Sequence, residues 1–275
     1  MIGFEITCKD LLGRIGTVKT KMGRIETPHM FPVINPLVQP IKPRDIRERF
    51  KCEAVMTNAY LLRKNFRERA LLDGVHKILD FDGTIATDSG AYQLLSHGKI
   101  EIEPREILDF QEKIRTDIGV ILDVPTGLTF NREHAKRTVE ETLKRADDAL
   151  QKIARSNILW VGPIQGGIHL DLLAYSAAKM SEKPFSIYAL GSPTGVMERY
   201  MFDRLVDMIA TVKMNMPVGK PLHLFGAGHP CMFPLAVALG CDLFDSASYA
   251  IYARDGRYMT NAGTSRLEEL KYFPC

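Results

Sequence analysis

The sequence predicts an α/β protein, a (β/α)8 (TIM) barrel preceded by a small antiparallel β meander, and two observations carry that reading. Eight short β-branched or apolar runs recur along the chain, and long segments of helical period separate them. Strands buried on both faces of a parallel sheet read as continuous apolar runs, and each needs a helical crossover to reach the next. Eight such units close into a barrel. No low-complexity segment, short repeat or Gly/Ser linker interrupts the 275 residues, so a single domain over 1–275 is expected.

In chain order, residues 1–27 hold short β-prone pieces between glycines ("FEITCKD", "GRIGTVKTKMGRIETP"), the pattern of a meander. The apolar runs follow: "HMFPVI" at 29–34, "EAVMTNAY" at 53–60, "TIATDS" at 84–89, "VILDV" at 120–124, "LWVGPIQ" at 159–165, "SIYALG" at 186–191, "PLHLFG" at 221–226 and "DLFDSA" at 242–247. Helical segments are expected at 43–50, 104–118, 131–155, 170–182, 197–214 and 230–240. The third of these opens at Asn131, a good cap, and sets Val139, Leu143, Ala146, Leu150 and Ile153 three and four apart on one apolar stripe.

With 45% hydrophobic and 25% charged residues the chain is soluble and globular in composition. No apolar run approaches the roughly 20 residues of a membrane helix, and the N-terminus has neither the basic start nor the apolar core of a signal peptide, which points to the cytoplasm. The five cysteines, Cys8, Cys52, Cys231, Cys241 and Cys275, are scattered singly, as suits a reducing compartment. A net charge of +3 is too slight to indicate nucleic-acid binding, although "DIRERFK", "LLRKNFRER" and "ARDGR" are locally basic. The first two fit solvated helix faces better than the third does.

Working residues of a (β/α)8 barrel stand at the C-terminal strand ends. Here those ends carry Asp88, Asp123, Gln165, Gly191 with Ser192, Phe225 with Gly226, and Asp245. One Asp-Ser-Gly turn such as Asp88–Ser89–Gly90 needs no function, because its side chain can bond its own backbone. Three acids meeting at one mouth with no adjacent lysine or arginine would repel one another to no structural purpose.

Paired carboxylates serve as nucleophile and general acid at acetal-like carbons, which describes glycosyl transfer to water or to another acceptor. Metal-assisted hydrolysis calls for clustered histidines, and His29, His169, His223 and His229 show no ligand spacing and read as structural. "LGSPTG" and "FGAGHP" lack the order of a phosphate-cradling loop. Glycines at strand ends instead admit close approach of a flat ligand such as a nucleobase.

The motifs "TDSGAYQ", "ILDVPT", "PIQGGIHLDLLAYSA", "YALGSP", "HLFGAGHP" and "GCDLFDSASYAIYARDGRYMT" resemble, in order and spacing, those of tRNA-guanine transglycosylases, in particular the archaeal, archaeosine-forming branch. The resemblance runs from about residue 2 to the end. It implies a pentosyltransferase that removes a D-loop guanine from tRNA and installs 7-cyano-7-deazaguanine (preQ0) at the same ribose. By resemblance Asp245 matches the nucleophile and Asp88 the general acid/base, with the opposite assignment of these two also described for the archaeal branch. Asp123 matches the residue that reads the N1 and 2-amino edge of the base. Gln165, with Gly191 and Ser192, matches the groups at the other edge; Ser89 and Gly226 fall in the same motifs; Tyr92 and Phe225 match the faces that sandwich the ring. Arg254 and Arg257 match residues that approach the RNA backbone, a salt-bridged loop through Asp255 being the alternative.

The resemblance has departures. Ser192 and Pro193 replace the second glycine and the leucine of the bacterial pattern. Family members continue with a Cys-x-Cys-x-x-Cys run and a later histidine that bind a structural zinc, and archaeal ones add RNA-binding domains. Cys275 matches the first of those cysteines, and one thiolate cannot hold a tetrahedral zinc. A truncated piece, or a split gene whose second polypeptide carries the zinc and RNA-binding parts, is therefore expected, with tRNA, guanine and preQ0 as ligands, a homodimer compatible with the resemblance and no membrane association. A non-catalytic partner subunit and a carboxylate glycosidase are the rival readings. The first is disfavoured by the presence of both Asp88 and Asp245, the second by the single tryptophan, Trp160, within an apolar run.

Overall fold

The computed structural model describes residues 3–91 and 102–272. Strands β1 (Gly3–Asp10), β2 (Gly13–Thr20) and β3 (Gly23–Thr27) form an antiparallel sheet in that order, the expected meander. Eight parallel strands then close a barrel: β4 (His29–Ile34), β5 (Ala54–Asn58), β6 (Thr84–Asp88), β7 (Ile118–Val120), β8 (Leu159–Ile164), β9 (Ile187–Leu190), β10 (Leu222–Leu224) and β11 (Leu243–Ser246). They pair in chain order, and β11 returns to β4 with Leu243 opposite His29 and Asp245 opposite Phe31. A short hairpin, β12 (Arg257–Thr260) with β13 (Gly263–Arg266), follows the barrel.

Side chains alternate along each strand, so the barrel has an inner and an outer apolar layer. Phe31, Ala54, Met56, Ala86, Ile118, Val120, Leu159, Val161, Ile187, Ala189 and Leu243 pack together inside. Their neighbours Val55, Ile85, Trp160, Leu190, Leu222, Leu224 and Phe244 pack outward against the helices. Val18 and Ile25 of the meander join the inner layer and are fully buried, so the meander covers the N-terminal end of the barrel.

The helix expected from Asn131 runs Arg132–Ile153, and the Asn131 Oδ1 accepts the His134 N–H at 2.9 Å. Val139, Leu143, Ala146 and Ile153 of its stripe are buried. Several boundaries differ from expectation: the helix expected over 104–118 ends at Lys113, with Ile118 already in β7, and 230–240 is a 3-10 turn at Pro230–Met232 followed by a helix at Phe233–Ala238. The sequence places the fourth run at 120–124, but the strand occupies Ile118–Val120 and Asp123 lies three residues beyond it. Ile121 and Leu122 remain buried after strand pairing ends, so the apolar run is displaced from the ladder. Of the segment 197–214 only Phe202–Met214 is helix; Met197 ends a separate short helix, Thr194–Met197, and between the two Tyr200 takes a left-handed φ of +53°. Among the described residues no helix is long and apolar enough to cross a membrane.

Candidate active site

All eight barrel strands are parallel, so their C-terminal ends share one mouth. Asp88 closes β6, Asp245 is the third residue of β11, Gln165 follows β8 and Gly191 follows β9. Asp123 lies beyond β7, and Phe225 and Gly226 follow β10. The expected strand ends therefore share one mouth; hydrogen bonds join Asp123, Gln165 and Ser192, whereas Asp88 and Asp245 each have donors of their own.

The joined group holds Asp123. Gln165, 1% exposed, donates from Nε2 to the Asp123 Oδ2 at 2.5 Å. Its Oε1 accepts the Thr126 N–H and the Ser192 hydroxyl, both at 3.0 Å, which fixes the amide orientation. A Cβ at Gly191 would lie 2.3 Å from the Gln165 Nε2, so glycine is required there for the amide to reach Asp123. Ser192 adopts a left-handed φ of +61°, at the position where the bacterial pattern has the freer residue glycine. Burial pushes the Asp123 carboxyl up to about 6, against the lowering effect of the Gln165 hydrogen bond.

Asp88 and Asp245 lie outside this group. The Asp88 Oδ1 accepts the Asn58 Nδ2–H at 2.7 Å and the Gly90 N–H at 2.6 Å. Asn58 also caps the helix Ala59–Asp73, its Oδ1 accepting the Leu61 N–H at 2.8 Å, so one side chain ties helix start to carboxylate. Burial, with the nearby charges of Asp245 and Asp123 adding to it, pushes Asp88 up to about 7, against the two hydrogen bonds. Ser89 beside it is buried.

Asp245 is arranged in the same way. Its Oδ1 accepts the His223 Nε2–H at 2.9 Å and the Gly226 N–H at 3.1 Å. Gly226 has φ +70°, a turn glycine that brings its N–H over the carboxylate. Phe225 is partly buried and meets the His223 ring edge-on, with centroids 4.8 Å apart. Neither Asn58 nor His223 stands out as a site residue in the sequence. The strand-end position of "TNAY" after an apolar run is a signal that could have pointed to Asn58, whereas His223 reads as structural.

Residues 8–274 match the family described as Queuine tRNA-ribosyltransferase. The chain belongs to this family. It is 49% identical to a tRNA-guanine(15) transglycosylase of Sulfolobus acidocaldarius over 280 residues, covering 100% of this chain and 55% of that protein. Proteins of the same name from Methanosarcina mazei and Pyrococcus furiosus are 47% and 44% identical, over 99% and 100% of this chain and 56% and 47% of theirs. The chain thus spans about half the length of the curated relatives it matches.

Within this queuine tRNA-ribosyltransferase family member, Arg254 ends a helix and is exposed, 3.9 Å from the Asp255 carboxylate. Arg257 bonds Asp255 at 2.8 Å and stacks its guanidinium 3.8 Å from the Tyr252 ring centroid. The loop is salt-bridged in the way the alternative reading expected, with Arg254 the freer of the two. Tyr92 and Cys275 lie outside the described residues. Among the described residues no group of three or more His, Cys, Asp or Glu side chains could hold a metal ion, and no chemical step is routed through one.

Proposed function

We propose that this chain is the catalytic part of an archaeal-type tRNA-guanine transglycosylase, exchanging a D-loop guanine of tRNA for preQ0 by double displacement. The observation that carries the reading is the pairing of Asp88 and Asp245 at one barrel mouth with a buried Asp123–Gln165 pair beside them. In the first half, an Asp245 oxygen bonds C1′ as the C1′–N9 bond breaks, and the electron pair leaves on the base. Asp88, raised to about 7, carries a proton in about half the molecules at that pH and delivers it to the departing guanine. In the second half the incoming base loses its N9 proton to Asp88 and attacks C1′, releasing the Asp245 carboxylate, so the ribose configuration is retained. Asp123 accepts N1–H and 2-amino donors side by side, a set that guanine and preQ0 share. Relatives named tRNA-guanine(15) transglycosylase support the tRNA substrate. By the family resemblance, a structural zinc, a homodimer and a second polypeptide carrying the RNA-binding parts belong to the same proposal.

The test is exchange of radiolabelled guanine into tRNA transcripts with and without the D-loop target guanine. Label is expected only in the former. Asp245→Asn should form no denaturant-resistant tRNA adduct, whereas Asp88→Asn should slow exchange by about 10² to 10⁴ and still form one. Equal labelling of both transcripts, or parent-rate exchange by Asp245→Asn, would sink the proposal.

A further inference from the structure

We infer that His223 is a positioning residue for Asp245, and that the two N–H groups gathered on Oδ1 reserve Oδ2 as the attacking oxygen. The inference rests on the base-exchange reading and adds to it a residue and an atom.

On β10, Leu222 and Leu224 face outward into the helix layer, which turns His223 and Phe225 inward. On β11, Phe244 faces outward, which turns Leu243 and Asp245 inward. His223 sits opposite Leu243 in the parallel register, so Asp245 is its diagonal neighbour one layer nearer the mouth. The imidazole is 3% exposed, and its freedom is removed from two sides. Phe31 stacks on it at 5.7 Å and 25°, and Phe225 meets it edge-on. The two rings hold the imidazole plane, and in that plane Nε2 lies 2.9 Å from the Asp245 Oδ1, a carboxylate oxygen that can only accept.

Gly226 N–H occupies the same oxygen at 3.1 Å, and among the described residues nothing donates to Oδ2. A nucleophilic oxygen needs a free lone pair, which among the described residues Oδ2 keeps while Oδ1 is engaged by two donors. When Oδ2 bonds C1′ and the C1′–N9 pair leaves with the base, Oδ1 becomes the carbonyl oxygen of the ester and keeps both donors. When the incoming base displaces the carboxylate, the same two N–H groups meet the returning charge without reorganising.

Packing alone would give His223 no reason to be a donor, and two variants separate the roles. His223→Phe keeps an aromatic ring between Phe31 and Phe225 and loses the N–H, while His223→Gln keeps an N–H at similar reach. In guanine exchange on tRNA, His223→Phe should lose about 10²-fold in kcat with KM for both substrates near the parent value, and His223→Gln should recover to within about tenfold of the parent. Equal losses in the two variants, or a loss confined to KM, would overturn the inference. A readout independent of catalysis uses protein labelled with 15N-histidine. The His223 Nε2–H should give a low-field proton resonance that is lost in Asp245→Ala and kept in Asp88→Asn. A resonance unmoved by Asp245→Ala refutes the contact even in active enzyme. Should the parent show no base exchange, the functional reading falls while this spectrum still decides whether His223 holds Asp245.

Discussion

At the scale of single residues, two carboxyls of the mouth, Asp88 and Asp123, have surroundings that favour the neutral form, and that has a stability consequence opposite in sign to a salt-bridged acid. Asp88 rises from an ordinary 3.8 to about 7, chiefly by burial. The folded state therefore binds more protons than the unfolded state between about pH 4 and pH 7, and stability falls as pH rises through that window. For this one group the loss amounts to no more than about 4 kcal/mol, complete above the folded-state value. In Asp88→Asn the new amide stays neutral at every pH, and its oxygen can still accept from Asn58 and Gly90. Asp88→Asn should thus match the parent in urea midpoint near pH 4 and exceed it at pH 8, at the expense of exchange rate. Asp123, raised to about 6, leaves a smaller slope of the same sign in the variant. A variant less stable than the parent at pH 8 would show that the charged carboxylate is welcome in its site.

At the scale of elements, the strand ends position what the strands themselves do not touch, and Gly191 tests this. Adding a Cβ there, 2.3 Å from the Gln165 Nε2, must push the amide away from Asp123 while β9 and its ladder are left in place. Gly191→Ala should weaken guanine binding, read as KM in exchange, by roughly tenfold or more, the order expected when one charge-assisted hydrogen bond is lost. Its urea midpoint should stay near the parent's, and unaltered guanine affinity would remove Gln165 from the base site. The same scale separates what was legible in the sequence from what was not. Barrel strands announced themselves because both faces are buried, and the helix at Asn131 because its cap and stripe are local. The end of β7 was misplaced because Ile121 and Leu122 stay apolar after pairing stops, and the break at Tyr200 carries no Gly or Pro to mark it. The partners of Asp88 and Asp245 were invisible for a different reason. Asn58 lies 30 residues before Asp88 and His223 lies 22 before Asp245, and only barrel closure shows where those side chains aim.

At the scale of the whole molecule, the meander is fastened across the barrel floor at two nearly opposite points. At β10 and β11, Arg14 of β2 donates from Nε to the Asp242 Oδ1 at 3.0 Å, pairs with Oδ2 as well, and donates to the Val218 and Lys220 carbonyls. Asp242 completes its shell with the Leu222 N–H at 2.8 Å. At β6 and β7, the Lys21 ammonium donates to the Arg115 and Thr116 carbonyls at 2.9 and 2.8 Å, and lies 3.5 Å from the buried Asp117. The two anchors differ in burial: the Arg14 and Asp242 side chains are 4% and 0% exposed, whereas Lys21 is 35% exposed. Removing one partner of a buried pair leaves an uncompensated charge and costs about 3–5 kcal/mol, while loss of the part-exposed Lys21 costs less because Asp117 keeps the His76 ring at 2.9 Å and the Ile85 N–H at 2.7 Å. Arg14→Ala should therefore lower stability several times more than Lys21→Ala, with little dependence on salt for Arg14 and a visible one for Lys21. Because Val18 and Ile25 belong to the barrel's inner layer, both variants should still unfold in urea in one transition followed identically by fluorescence and circular dichroism. A separate early transition in Arg14→Ala would mean that the meander undocks as its own unit and that the barrel closes without its floor.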